Sequence, residues 1–258
     1  MKIDKERVKR EFAEYVRDYN AQDEKIKLKI VHTYRVAEIC EAIARSLDFR
    51  EDDVDFAWLS GMLHDIGRFE QLRRYGTFSD AESIDHAGFG ADLLFGTERL
   101  IDRFIEASSE YQCLEYVIRC HSAYRIPEEY DARTRQFAEI LRDADKVDIL
   151  RVNVEFALED IYNVTTEVLM REDVSEAVMK SFFEHHATLR SIKKTCIDHL
   201  VGHISLVYEL VYPKSIELVK EQGYLEKMMN FHSQNEKTNQ QFAMIREEMT
   251  EWLQEQIK

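Results

Sequence analysis

Only two prolines, Pro127 and Pro213, and eight glycines interrupt 258 residues, so the chain has few places where a helix must stop. Apolar residues recur at intervals of three and four along nearly its whole length, the period of a helix with one buried face. Strands are not needed, and the pattern predicts an all-α protein. Hydrophobic residues at 45% and aromatics at 11% can fill a sizeable core, which excludes disorder as the general character of the chain.

The spacing predicts a first helix from about Asp4 to Tyr19, with Val8, Phe12, Tyr15, Val16 and Tyr19 on one face. A second is expected over about Lys27 to Leu47 and a third over about Asp53 to His64. Six of the eight glycines then fall between Gly61 and Gly96, and that clustering reads as irregular backbone. Further helices are expected at about His86 to Phe95, Glu98 to Ala107, Glu110 to His121 behind a Ser109 cap, and Thr134 to Phe156. Beyond them come Val174 to Phe183, Leu189 to Tyr212, Lys214 to Glu221, and Asn239 to the end, with the polar stretch Ser233 to Asn239 as a loop.

Charge and cysteine usage narrow the function classes. Lys+Arg 35 against Asp+Glu 50 gives −15, a poor match for a nucleic-acid polymer bound by counterion release. No apolar run approaches the roughly 18 residues of a spanning helix. The longest, Ile204 to Tyr212, is broken by Glu209, and the first residues lack the apolar segment of a secretory signal. A cytoplasmic protein without a membrane partner is therefore expected. Cys40, Cys113, Cys120 and Cys196 form no Cys-x-x-Cys pair and read as reduced thiols.

The chemistry gathers in the first 150 residues. In Ser60-Gly-Met-Leu-His-Asp-Ile-Gly-Arg-Phe69, His64 and Asp65 end an apolar helix ahead of Gly67, which reads as a helix stop. An imidazole and a carboxylate at a buried helix end both need partners, and a metal would satisfy both. For the bare dipeptide, a capping aspartate beside a core histidine is the favoured reading, because so short a motif is common by chance. The dipeptide has company, however. His32 lies on an otherwise apolar helix face, and Asp145 shares a face with Phe137, Leu141, Ala144 and Asp148. His86 and His121 complete a set of four histidines and two aspartates. Mixed nitrogen and oxygen ligation of this kind suits Mn, Fe, Co, Ni or Zn better than Mg or Ca.

His32, then His64-Asp65, then Asp145, with His86 and His121 between, resembles the HD-domain superfamily of metal-dependent phosphohydrolases over about residues 25 to 150. The resemblance implies an orthogonal all-helical bundle whose inward side chains hold the metal. It implies His32, His64, Asp65 and Asp145 as ligands of one divalent ion. His86 and His121 then look like the extra ligands of the binuclear branch, where the aspartate of the His-Asp pair bridges two ions. Asp143 and Asp145 sit about 200° apart on a helix and cannot both face one ion; the family pattern selects Asp145, directly after the alanine. Cys120-His121 replaces a His-His pair found in many binuclear members, and Ser122 to Pro127 replaces the glycine-rich sequence of cyclic-dinucleotide phosphodiesterases, which disfavours cyclic-di-GMP.

The implied function is hydrolysis of a small phosphorylated substrate, such as a nucleotide or sugar phosphate, as a phosphomonoesterase or phosphodiesterase. The attack would come from a metal-bound hydroxide, since a divalent ion can lower the pKa of water from 15.7 towards ~7. Asp65, Arg68 and Lys146 are the candidate catalytic residues, the two cations standing beside ligands where they could neutralise a phosphoryl group. Either cation could instead pair with a nearby carboxylate, and Arg73 and Arg74 read as a solvated face. The same six ligands also resemble di-iron oxygenases of the superfamily that act on inositol- or phosphonate-like substrates. An HD-type bundle over residues 1–156 and a helical extension over 157–258, packed on it, are the expected domains.

Overall fold

The computed structural model describes residues 3–162 and 164–256; the expected end of the last helix, at 257–258, lies outside them. The protein is all-α, and no strand occurs among the described residues. Among the described residues, no helix is long and apolar enough to cross a membrane. The chain divides into two compact units, Met1–Asp145 and Lys146–Lys258.

In the first unit, α1 (Lys5–Val16) starts where the Asp4 side chain accepts the Arg7 N–H, and it buries Val8, Phe12 and Tyr15. Phe12 meets Tyr34 and Phe69 edge-on, with ring centroids 5.5 and 5.8 Å apart. Next come α2 (Glu24–Ser46), capped by Asp23, and α3 (Glu51–Leu63). Every residue of α3 from Phe56 to Leu63 is buried, so this helix is the spine of the unit. It is followed by α4 (Ile66–Tyr75), α5 (His86–Phe95), α6 (Ile101–Phe104), α7 (Tyr111–Cys120) and α8 (Ala132–Glu155), the last of which contains the boundary between the units.

The clustered glycines were expected in irregular backbone; Gly76 and Gly96 do stand outside helices, at the ends of α4 and α5, but the structure corrects the other four. Gly61, Gly67, Gly88 and Gly90 all lie inside helices. Gly61 lets α3 cross α2 closely, since a Cβ there would stand 2.6 Å from the Ala37 Cα. Gly67 does not stop a helix: it belongs to the first turn of α4, where it lets that helix lie against α5. The helix expected over Glu98 to Ala107 shrinks to the single turn α6, and Ser109 is not the cap of α7. Ser108 takes the local bond instead, its hydroxyl accepting the Glu110 N–H at 3.1 Å.

The second unit contains α9 (Leu158–Tyr162), α10 (Thr166–Leu169), α11 (Glu176–Phe183), α12 (Cys196–Ile204), α13 (Pro213–Gln222), α14 (Tyr224–Met229) and α15 (Glu236–Glu255). Val178, Phe182, Ile197, Val201, Met228, Phe242, Ile245 and Met249 form its core. The single helix expected over Leu189 to Tyr212 is broken because Asp198 recruits the backbone before it. Its carboxylate accepts the N–H groups of Ser175, Lys194 and Thr195, which starts α12 at Cys196. Pro213 opens α13 as its first residue rather than merely ending what precedes it. The last helix begins at Glu236, inside the stretch expected as a loop, where the Asn235 side chain caps it.

Candidate metal centre

Five elements of the first unit deliver side chains to one point. His32 comes from the middle of α2, His64 and Asp65 from the turn between α3 and α4, and His86 from the start of α5. His121 follows the last residue of α7, and Asp145 lies on α8. The four histidines and Asp65 are buried, and Asp145 is largely so. Arg142 ties down the end of α7 by donating to the carbonyls of Cys120, His121 and Ala123. Arg119 links α7 to α5 through the Gly88 carbonyl, 3.3 Å away.

The two oxygens of Asp65 face different histidine pairs. Oδ2 lies 3.5 Å from His64 Nε2 and 3.7 Å from His32 Nε2. Oδ1 lies 3.5 Å from His86 Nε2 and 3.7 Å from His121 Nε2. Asp145 joins the first group, its Oδ1 standing 3.1 Å from His32 Nε2 and 3.9 Å from His64 Nε2. Two sets, His32/His64/Asp65 and Asp65/His86/His121, thus each bring ligand atoms within 4.8 Å of one another.

The partners of the far ring nitrogens settle the tautomers by elimination. His64 Nδ1 lies 2.7 Å from the Gly61 carbonyl and His121 Nδ1 2.7 Å from the Ile118 carbonyl, and a carbonyl only accepts. His86 Nδ1 lies 2.7 Å from Asp80 Oδ2, and Asp80 is held far below the ordinary carboxylate range. Burial works against that lowering, but His86, Arg68 and Gln71 outweigh it. All three Nδ1 atoms therefore carry a proton, which turns the three Nε2 atoms toward the cluster; in the neutral rings of His64 and His86 that atom presents a lone pair. The Nε2 atoms of His86 and His121 are only 3.0 Å apart, and His64 Nε2 is buried with no hydrogen-bond partner. A buried acceptor without a donor is costly, and inward-turned imidazole nitrogens beside carboxylates form a donor set that fits a divalent cation.

Electrostatics point the same way. Burial lowers the pKa of His64 to about 4 and that of His86 to about 3, so both rings are neutral at pH 7. Burial pushes Asp65 upward, yet opposing charges led by the Lys29 ammonium hold it well below the usual carboxyl range. Asp145 is likewise lowered against its burial, chiefly by the hydrogen bond with His32. Neutral imidazoles around ionised carboxylates are the protonation states that metal ligation needs.

Lys29 is the residue that the sequence reading missed. It stands one helical turn before His32, and its ammonium lies 2.7 Å from Asp65 Oδ2. The only available signal was that i, i+3 spacing, inconspicuous among 35 basic residues. Arg68 also reaches the cluster, with Nε 3.7 Å from Asp65 Oδ1. Its Nη1 is committed to Asp80, Gln71 and the Phe78 carbonyl, whereas its buried Nε has no hydrogen-bond partner. Lys146 is the first residue of the second unit, and its ammonium lies 3.5 Å from the Glu209 carbonyl. Arg73 and Arg74 both pair with Glu70. Burial pushes the Cys120 thiol up to about 11, so it stays protonated beside the centre.

The family model of the HD domain matches residues 30–150, a stretch that contains all six histidines and aspartates of the cluster. No curated protein and no solved structure matches the chain.

Proposed function

Because the chain carries an HD domain over residues 30–150, we propose that it is a metal-dependent phosphohydrolase acting on a small phosphoester such as a nucleotide or sugar phosphate. The observation that carries this reading is the carboxylate of Asp65, whose two oxygens face two separate histidine pairs while a lysine and an arginine flank it. His32, His64, Asp145 and Asp65 Oδ2 would hold one divalent ion, and His86, His121 and Asp65 Oδ1 a second. When bound, such ions supply Lewis acidity that acidifies water and polarises a phosphoryl oxygen.

The chain's own residues do the rest. Gly61, Ile118 and Asp80 hold the Nδ1 protons of His64, His121 and His86, which keeps the Nε2 atoms turned inward. Lys29 and the Nε–H of Arg68 are cations beside Asp65 that can receive the oxygens of an incoming phosphoryl group. Asp80, Gln71 and the Phe78 carbonyl fix the guanidinium so that its orientation is set before substrate arrives.

The test is inorganic phosphate release by manganese-loaded protein across a panel of phosphoesters under strictly anaerobic conditions. At least one nucleotide or sugar phosphate should be hydrolysed, and Arg68→Ala should lower that rate by roughly 10²-fold. Turnover that requires both iron and dioxygen, with no anaerobic phosphate release, would replace hydrolysis by oxygenation.

A further inference from the structure

Asp80 opens the single 3-10 turn Asp80–Glu82, in the connection between α4 and α5. Its Oδ2 accepts the Nδ1–H of His86 at 2.7 Å, and its Oδ1 accepts from Arg68 Nη1 at 2.7 Å and Gln71 Nε2 at 3.0 Å. Gln71 is fully buried, and its amide nitrogen also lies within hydrogen-bond distance of Ser83 Oγ and the Ile84 carbonyl, so it pins the turn at Asp80 and just after it. A nearby group of Asp80, Asp85 and His86 is no separate cation site. Asp85 spends its carboxylate on the Ala87 and Gly88 N–H groups at the start of α5, and Asp80 is taken by Arg68.

The two histidines on the Oδ1 side of Asp65 differ in what holds them. His121 donates to a neutral backbone carbonyl, whereas His86 donates to a carboxylate that also bonds a guanidinium. A carboxylate partner makes the opposite nitrogen a stronger donor and fixes the ring plane, and losing such a partner typically weakens metal affinity about 10–100-fold. The Arg68–Asp80–His86 chain also joins the candidate phosphate contact to the ligand through one residue.

We propose that Asp80 is a positioning residue that fixes His86 in its Nδ1–H form and thereby sets the affinity of the His86/His121/Asp65 position for the second ion. This rests on the metal-centre reading above. It predicts that the two positions can be uncoupled, because Asp80 touches His86 and leaves His32, His64 and Asp145 to other partners.

The test is Mn²⁺ titration by calorimetry, with element analysis after gel filtration, on chelator-treated wild type, Asp80→Ala, Asp80→Asn and the exposed control Glu82→Gln. Wild type and Glu82→Gln should bind two ions alike. Asp80→Ala should lose about 10–100-fold at one position and keep the other. Asp80→Asn retains an acceptor without the charge and should fall between. In metal-free protein, ¹⁵N NMR of the His86 ring should show the Nδ1–H form in wild type and a shifted tautomer balance in Asp80→Ala. Two ions bound by wild type and equally tightly by Asp80→Asn and Asp80→Ala would overturn the proposal. Weaker binding with unchanged His86 nitrogen shifts would overturn it too, as a general structural loss. Should Asp80→Ala fail to fold, the affinity and ring shifts of Asp80→Asn decide in the same way. A wild type that binds no ion would instead refute the metal centre itself.

Discussion

Gly67→Ala is the sharpest probe of how this unit places His86. A Cβ at Gly67 would stand 2.5 Å from the His86 carbonyl oxygen, 2.8 Å from the Gly90 N and 2.9 Å from the Gly90 Cα. All three are backbone atoms, so relief requires α4 and α5 to move apart by roughly 0.9 Å to reach ordinary contact. Two effects of opposite sign compete. Alanine is the better helix former by about 1 kcal/mol, whereas overpacking against a rigid neighbour costs about 1–3 kcal/mol. The clash should offset the propensity gain or exceed it, for a net loss of up to about 2 kcal/mol. The first unit spans Met1–Asp145, and at ~2.1 cal/mol/K of unfolding entropy per residue this corresponds to a Tm drop of up to about 7 °C. The assay is thermal unfolding by circular dichroism, with ¹⁵N NMR of the His86 ring to report its displacement. Gly76→Ala serves as control. Its Cβ meets nothing within 4 Å, so its left-handed backbone (φ 70°) should cost stability without disturbing His86. A Gly67→Ala protein more stable than wild type by the full propensity gain, or one whose His86 signals are unmoved, would refute the close helix crossing.

The remaining expectations are more compact. Asp65→Ala should abolish uptake of both ions and His121→Ala of one, measured by element analysis; equal metal content in Asp65→Ala and wild type would remove Asp65 from the centre. In metal-free protein, the unfolded chain protonates His64 and His86 near pH 6.5, while the folded chain holds them neutral down to about 4 and about 3. Acidification below pH 6.5 should therefore favour unfolding, by up to ~1.4 kcal/mol per pH unit for each ring, and urea midpoints at pH 7 and pH 5 that coincide would contradict this. In the second unit, Arg151→Ala removes a bidentate partner of the fully buried Asp148, with bonds of 2.8 and 2.9 Å. Unfolding in urea should show a loss of about 3 kcal/mol, and a change within error of zero would mean that the pair adds nothing to the fold.

The sequence determined what depends on neighbours along the chain. The helical period and the scarcity of breakers sufficed for the fold class, and the start and end of α5 follow from the residues around His86 and Phe95. His32, His64, Asp65 and Asp145 were legible because ionisable groups stand in apolar helix surroundings, where solvation would otherwise be lost, and His86 and His121 through the spacing they share with the HD family. Their common meeting point, the pairing of Lys29 with Asp65 and the capture of Arg68 by Asp80 were decided only by tertiary structure. The same holds for the glycines: composition marks them as breakers, but Gly61 and Gly67 serve helix crossings whose partners are 24 and 19 or more residues away. Asp198 shows the converse, a side chain that ends one helical pattern and begins α12 by bonding N–H groups up to 23 residues distant. Periodicity reports which face of a helix is buried; which groups meet across that burial depends on how the helices cross, and no local pattern in the chain encodes those distances.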